Sequence, residues 1–129
     1  MNDCSANTVS AKRILIVEDE GLVAEIAAIT LEDAGHIVLD ICADWRTAVE
    51  QVETLTPDVT LIDINLGAGG SGFDVARHIA GHPGLKFMFV TGQSDAATRA
   101  KAMEFKPADY IVKPYRPGEL VGAIARLAD

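Results

Sequence analysis

The chain has 129 residues, 49% of them hydrophobic, and a formal net charge of −8. That length suits one domain with a single adequate core. An acidic chain without a Lys/Arg cluster is a poor ligand for a phosphate backbone, which disfavours direct nucleic-acid binding, and no apolar run reaches the length of a membrane span.

Residues 1–10 are polar and mixed, without the apolar core of a signal peptide, so a cytoplasmic protein is expected. They read as a disordered tail, and residues 11–129 as the domain. Arg13 to Val17 is a short run rich in Ile, the habit of a strand buried on both faces. Leu22, Ile26 and Ile29 then recur at helical spacing, and Gly35 stops that helix. Ile37 to Cys42 suggests a second strand; Cys42 reads as a buried free thiol, with no disulfide to Cys4. Asp44 caps a helix carrying Ala48, Val49, Val52 and Leu55, opened by a partly buried Trp45 and ended by Pro57. Val59 to Ile62 is a third strand. After it, the glycine-rich stretch 66–72 reads as a flexible loop, and it lacks the Gly-Lys-Ser/Thr ending of a phosphate-binding loop. Ser71 with Asp74 resembles a capping box for a third helix bearing Phe73, Ala76 and Ala80 on one side. Leu85 to Val90 is a fourth strand, and Ser94 caps an alanine-rich fourth helix through about Met103. Tyr110 to Val112 suggests a fifth strand. Pro117 opens a fifth helix with Leu120, Val121, Ile124 and Leu127 on its inner stripe.

Five strands alternating with five helices specify an α/β domain with a parallel sheet and right-handed crossovers. Periodicity does not reveal the strand order. In open parallel sheets, ligands bind at the carboxyl ends of the strands. Those ends carry Glu18-Asp19-Glu20, then Asp63-Ile64-Asn65, then Thr91-Gly92, then Lys113-Pro114. Glu18, Asp19 and Asp63 would crowd negative charge into one place, which a cation or protons must neutralise. Mg²⁺, a hard ion that takes a few carboxylates, a carbonyl and waters, suits that role. Lys113 adds a positive point charge and Thr91 a hydroxyl, completing an electrostatic clamp for phosphoryl transfer. Asp63 is then the candidate nucleophile, since a carboxylate can form an aspartyl phosphate. His36, His78 and His82 read as surface or loop histidines with no metal-ligand spacing on a common face.

Val17-Glu18-Asp19-Glu20, Leu61-Ile62-Asp63-Ile64-Asn65, Phe89-Val90-Thr91-Gly92 and Val112-Lys113-Pro114-Tyr115 resemble the signature blocks of response-regulator receiver domains of two-component signalling. Each block alone is unspecific; four in order at successive strand exits are specific. The resemblance covers residues 12–128. It implies a flavodoxin-like (βα)5 three-layer sandwich, with a five-stranded parallel sheet in the order 2-1-3-4-5. It also implies that Asp63 accepts a phosphoryl group from a sensor histidine kinase or histidine phosphotransfer protein. Asp19, Asp63, the Asn65 backbone carbonyl and Glu18, directly or through water, would hold Mg²⁺. Thr91 would bond the phosphoryl oxygen and Lys113 would pair with it. Lys113–Pro114 would be a cis peptide. Tyr110 matches the family's aromatic switch, working with Thr91, although a packed strand aromatic is the alternative for it.

The chain departs from the common pattern in having Glu18-Asp19 where two aspartates are usual, and in lacking the usual Pro after the third strand. Phe-Val-Thr-Gly with Lys-Pro-Tyr resembles an alphaproteobacterial subgroup bearing Phe-Ala-Thr-Gly. The resemblance implies a monomer or weak homodimer that is not an enzyme beyond its own phosphorylation and dephosphorylation, and that docks an unidentified downstream protein. The expected docking face is the fourth helix, fifth strand and fifth helix, through Ala96, Ala97, Ala100, Lys101, Tyr110 and Arg116. A single-domain regulator is expected, with a receiver from a hybrid kinase or DNA-binding regulator as the alternative. An aspartyl-phosphate phosphatase of the haloacid-dehalogenase type needs a second Asp where Asn65 stands. A flavin or nucleotide module would be repelled by Glu18-Asp19-Glu20. A receiver that has lost phosphorylation has no need of Asp63, Thr91 and Lys113 together.

Overall fold

The computed structural model describes residues 10–127, so the expected tail and Cys4 lie outside the described residues. Five strands alternate with five helices: β1 (Arg13–Val17), α1 (Gly21–Asp33), β2 (Ile37–Cys42), α2 (Trp45–Leu55), β3 (Val59–Ile62), α3 (Gly72–Ala80), β4 (Lys86–Thr91), α4 (Ala96–Met103), β5 (Tyr110–Val112) and α5 (Pro117–Ala125). All strand pairs are parallel and the sheet order is β2-β1-β3-β4-β5. This is the flavodoxin-like arrangement.

The alternation of side chains along a strand divides the core in two. Leu15 and Val17 of β1, with Ile62 and Phe89, pack toward α2 and α3 through Val52, Phe73, Val75 and Ile79. Ile14 and Ile16, with Leu61 and Met88, pack toward α1 and α5 through Leu31, Leu120 and Ile124. Phe73 meets Phe89 edge-on at 5.7 Å between centroids and stacks on Phe105 at 5.5 Å. Cys42 is a buried free thiol, and burial pushes its pKa up to about 12, with Asp40 and Asp44 adding to the effect. Among the described residues, no helix is long and apolar enough to cross a membrane.

Periodicity left the inner face of α1 open, and three local expectations in α3 and α4 need correction. Leu22, Ile26 and Ile29 do form one stripe of α1, but they face outward, at 72%, 54% and 56% exposure. The helix buries Ala24, Ala27, Ala28 and Leu31 instead, because small side chains let it lie close on a sheet face already filled by Ile14 and Ile16. In α3 the Ser71 hydroxyl accepts from the Phe73 N–H at 3.1 Å, but Asp74 turns to Arg77 rather than closing a capping box. Ile79, not Ala80, is buried there. In α4 the cap is Asp95, which accepts from the Thr98 N–H at 3.0 Å, one residue beyond the expected Ser94.

The glycine-rich stretch is not a loose loop. Gly67–Gly69 forms a 3₁₀ turn, Leu66 donates to the Gly70 carbonyl at 3.0 Å, and Leu66 is fully buried. Gly70 has φ +92°, and a Cβ there would lie 2.5 Å from Trp45 Cδ1. The glycine serves a close backbone approach to α2 rather than mobility.

Candidate functional site at the strand exits

Parallel pairing carries the polar residues to one rim. The Glu18 N–H donates to the Cys42 carbonyl at 2.9 Å, the Asp63 N–H to the Val17 carbonyl at 3.0 Å, and the Lys113 N–H to the Thr91 carbonyl at 2.8 Å. Each residue is thus the first beyond its strand and is held by the neighbouring strand's last rung. The Lys113–Pro114 bond is cis.

The side chains then meet. Lys113 Nζ donates to Glu18 and to Asp63 Oδ2, the latter at 3.0 Å. One oxygen from each of Glu18, Asp19 and Asp63 lies within 4.8 Å of the others. Glu18 and Asp63 are buried, while Asp19 is exposed at the rim. The Asp63 carboxylate also accepts from the Asn65 N–H, through Oδ1 at 3.3 Å. Glu20 is exposed and opens α1.

Three carboxylates share the rim with one ammonium, which bonds two of them, and the electrostatics reflect this. Burial raises the Glu18 pKa; the bonds from Lys113 and from the Glu20 N–H oppose the rise, and the charge of Asp63 adds to it. Burial alone would lower the Lys113 pKa, but its bonds to Glu18 and Asp63 prevail and raise it. The two shifts are compatible because Lys113 is shared between two acids, and each acid also faces the other. The pocket therefore carries surplus negative charge on hard oxygen donors.

Thr91 is fully buried, and its hydroxyl accepts from the Gln93 N–H at 3.3 Å. Tyr110 is turned inward, 7% exposed, and its hydroxyl donates to the Gln93 carbonyl at 2.5 Å. The Arg99 guanidinium lies 4.7 Å from the centre of the Tyr110 ring. Gln93 thus joins Thr91 and Tyr110 through its own backbone. No sequence signal marks it, because any residue has that N–H and that carbonyl.

Glycine at position 72 was also missed. The Gly72 N–H donates to the Ile64 carbonyl at 2.7 Å, and a Cβ there would meet the Asp63 carbonyl oxygen at 2.1 Å. The start of α3 is therefore pressed against the backbone of Asp63.

The histidines need correction too. His36 is buried, 6% exposed, and its Nδ1 accepts from the Lys12 N–H at 3.0 Å. His78 and His82 do share a face, and they meet Glu53 of α2. The spacing of four was visible in the sequence; the carboxylate facing it from another helix was not.

The chain matches the response regulator receiver domain family over residues 14–125. It is 34% identical over 117 residues to the DNA-binding response regulator MtrA of Mycobacterium tuberculosis strain H37Rv, covering 90% of this chain and 50% of that protein. It is 33% identical over 117 residues to the phosphate regulon transcriptional regulatory protein PhoB of Escherichia coli K12, covering 88% of this chain and 50% of that protein. The chain spans about half the length of the curated relatives it matches. Among solved structures, it is similar to the signal receiver domain of a modulated diguanylate cyclase from Desulfovibrio desulfuricans G20, with TM-score 0.81, 32% identity, and 89% and 91% of the two chains covered. A CheY-like response regulator receiver domain protein from Methanospirillum hungatei JF-1 superposes with TM-score 0.80 at 28% identity, with 89% and 91% covered.

Proposed function

The chain belongs to the response regulator receiver domain family, and on that premise we propose that Asp63 accepts a phosphoryl group from a phosphohistidine of a sensor kinase or phosphotransfer protein. The observation that carries this reading is Lys113, held between Glu18 and Asp63 at the strand exits. An Asp63 carboxylate oxygen attacks phosphorus in line, an O–P bond forms, and the P–N bond to the donor histidine breaks with its electrons left on nitrogen. Lys113 then follows the developing charge from Asp63 to a phosphoryl oxygen. The Thr91 hydroxyl turns from Gln93 to another oxygen.

A hard dication fits the donor set, because three carboxylate oxygens lie within 4.8 Å of one another with a single ammonium among them. Glu18, Asp19, Asp63 and the Asn65 carbonyl would hold Mg²⁺, whose charge would offset that of the incoming phosphoryl group. The Asn65 carboxamide is too weak an acid and base to transfer a proton in the general-acid role, and its side-chain oxygen accepts from the Gly67 N–H at 2.9 Å. This favours a phospho-accepting switch over a phosphatase.

The output is a change in the face made by α4, β5 and α5, read by a downstream protein. The net charge of −8 favours a protein partner over direct contact with nucleic acid, and the polar residues 1–10, without the apolar core of a signal peptide, suit a cytoplasmic setting. The curated relatives are about twice as long and named as DNA-binding or transcriptional regulators, which supports a receiver within a longer regulator as the second reading beside a single-domain one. Phe89-Val90-Thr91-Gly92 and Lys113-Pro114-Tyr115 support the Phe-Ala-Thr-Gly subgroup.

Incubation with acetyl phosphate and Mg²⁺ tests the acceptor. Acid-labile phosphate on the wild type and none on Asp63→Asn is the expected result. Equal labelling of the variant refutes the assignment.

A further inference from the structure

Away from the strand exits, a second group of ligating side chains converges on the surface between α2 and α3. Glu53 lies on α2. His78 lies in the last turn of α3, and His82 just beyond it, where the chain tightens through a bond from the His82 N–H to the Ile79 carbonyl at 2.8 Å. Glu53 Oε2 stands 2.8 Å from His78 Nε2 and 3.0 Å from His82 Nε2. One ligand atom from each residue lies within 4.8 Å of the others. The two imidazole rings are 4.8 Å apart between centroids and tilted by 50°, so both Nε2 atoms aim at one carboxylate oxygen rather than stacking flat.

We propose that Glu53, His78 and His82 form a binding site for a Zn²⁺-type transition-metal dication, which clamps α2 to the end of α3. Two imidazole nitrogens and one carboxylate oxygen are a borderline donor set suited to Zn²⁺, Cu²⁺ or Ni²⁺ and unsuited to Mg²⁺. The all-oxygen cluster of Glu18, Asp19 and Asp63 has the opposite preference. Ligands at about 2.0–2.1 Å from a tetrahedral Zn²⁺ stand about 3.3 Å apart. Both nitrogen–oxygen distances are within about half an ångström of that spacing. The side chains are 51%, 29% and 41% exposed for Glu53, His78 and His82, so the ion can arrive from solvent and keep water as a fourth ligand.

In the metal-free arrangement both nitrogens address the same oxygen. Each ring ligates through the lone pair of a neutral imidazole, so a proton that faces Glu53 on Nε2 passes to Nδ1 as the ion takes its place. Because the third ligand comes from a different helix, the metal joins two elements that otherwise meet by side-chain packing and the two Glu53–histidine bonds. Gly72, at the opposite end of α3, presses on the Asp63 backbone, so this clamp fastens the far end of the helix that leaves the acceptor site. The inference is independent of the phosphoryl-acceptor reading.

The test uses the full chain in excess Mg²⁺, which occupies hard-oxygen sites without competing for imidazole. Calorimetric titration with Zn²⁺ and visible absorption with Co²⁺ then report the second site. One equivalent should bind, with a rise in the thermal midpoint. Glu53→Gln and His82→Ala should each weaken binding by about tenfold or more, and the double variant His78→Gln with His82→Ala should lose the cobalt spectrum and the thermal shift. His82 lies outside the helix and 41% exposed, so its variant retains the fold, which far-UV circular dichroism checks. No one-to-one binding at micromolar Zn²⁺, displacement by Mg²⁺, or equal affinity in the variants would overturn the proposal.

Discussion

The third and fourth helices both follow strands that end in site residues, yet they are held in opposite ways. The helix α3 buries Gly72, Phe73, Val75, Ala76 and Ile79, and its first residue is wedged against Asp63. In α4, Ala102 is the buried residue among eight. Its remaining ties run through long cationic side chains: Lys101 Nζ lies 4.9 Å from the Phe73 ring centre, and Arg99 sits over Tyr110. Burying a large aliphatic side chain contributes roughly 1.5–3 kcal/mol and an alanine methyl under about 1. The helix α3 therefore behaves as part of the core, and α4 as an element that opens at lower cost.

Ile79→Ala and Ala102→Gly give the widest separation. The former should cost about 2–5 kcal/mol by cavity formation, and the latter about 1–2 kcal/mol by helix propensity and one lost methyl. Urea unfolding compares them, and equal losses would erase the distinction.

Gly72→Ala probes the wedge. The added methyl meets the Asp63 carbonyl, so overpacking should cost about 1–3 kcal/mol and slow labelling by acetyl phosphate. A variant of unchanged stability would show that α3 can lift off the strand end freely.

Tyr110→Phe removes one bond to Gln93, for about 0.5–1.5 kcal/mol. Its effect should be confined to α4: amide exchange should quicken over 93–103 and stay unaltered over 72–80. Equal acceleration in both helices would mean that they open together.

Acid offers the finest discrimination, because the caps differ in chemistry. Ser71 caps α3 with a hydroxyl, which does not titrate. Asp95 caps α4 with a carboxylate whose pKa is lowered from 3.8, chiefly by the Thr98 N–H and then by its hydroxyl. A depressed folded pKa means that the cap's contribution is complete above pH 3.8 and is lost as pH falls below it through the folded value. The Thr98 amide shift should therefore move in that window, and the Phe73 amide shift should not. In Asp95→Asn, whose cap cannot titrate, the Thr98 movement should vanish.

Much of this molecule was legible in the chain itself. Short apolar runs identified the strands, and the polar residues Glu18, Asp63, Thr91 and Lys113 marked the exits of β1, β3, β4 and β5, because a strand covered on both faces must be largely apolar; β2, at the sheet edge, is mostly half-buried or exposed. Glu18, Asp19, Asp63, Thr91 and Lys113 were legible for the same reason, once four family blocks stood in order. Periodicity located α1 but not its inner face, since the stripe at 22, 26 and 29 is as regular as the buried one at 24, 27, 28 and 31. Only packing against Ile14 and Ile16 chooses between them. The turn at 67–69, the wedge at Gly72 and the link through Gln93 depend on backbone groups, which every residue possesses. The meeting of Glu53 with His78 and His82 depends on two helices lying side by side. Spacing along the chain specifies which residues share a helix face, but not what faces them from another helix. That was decided by the tertiary structure, because the sheet's order and twist set which helices become neighbours.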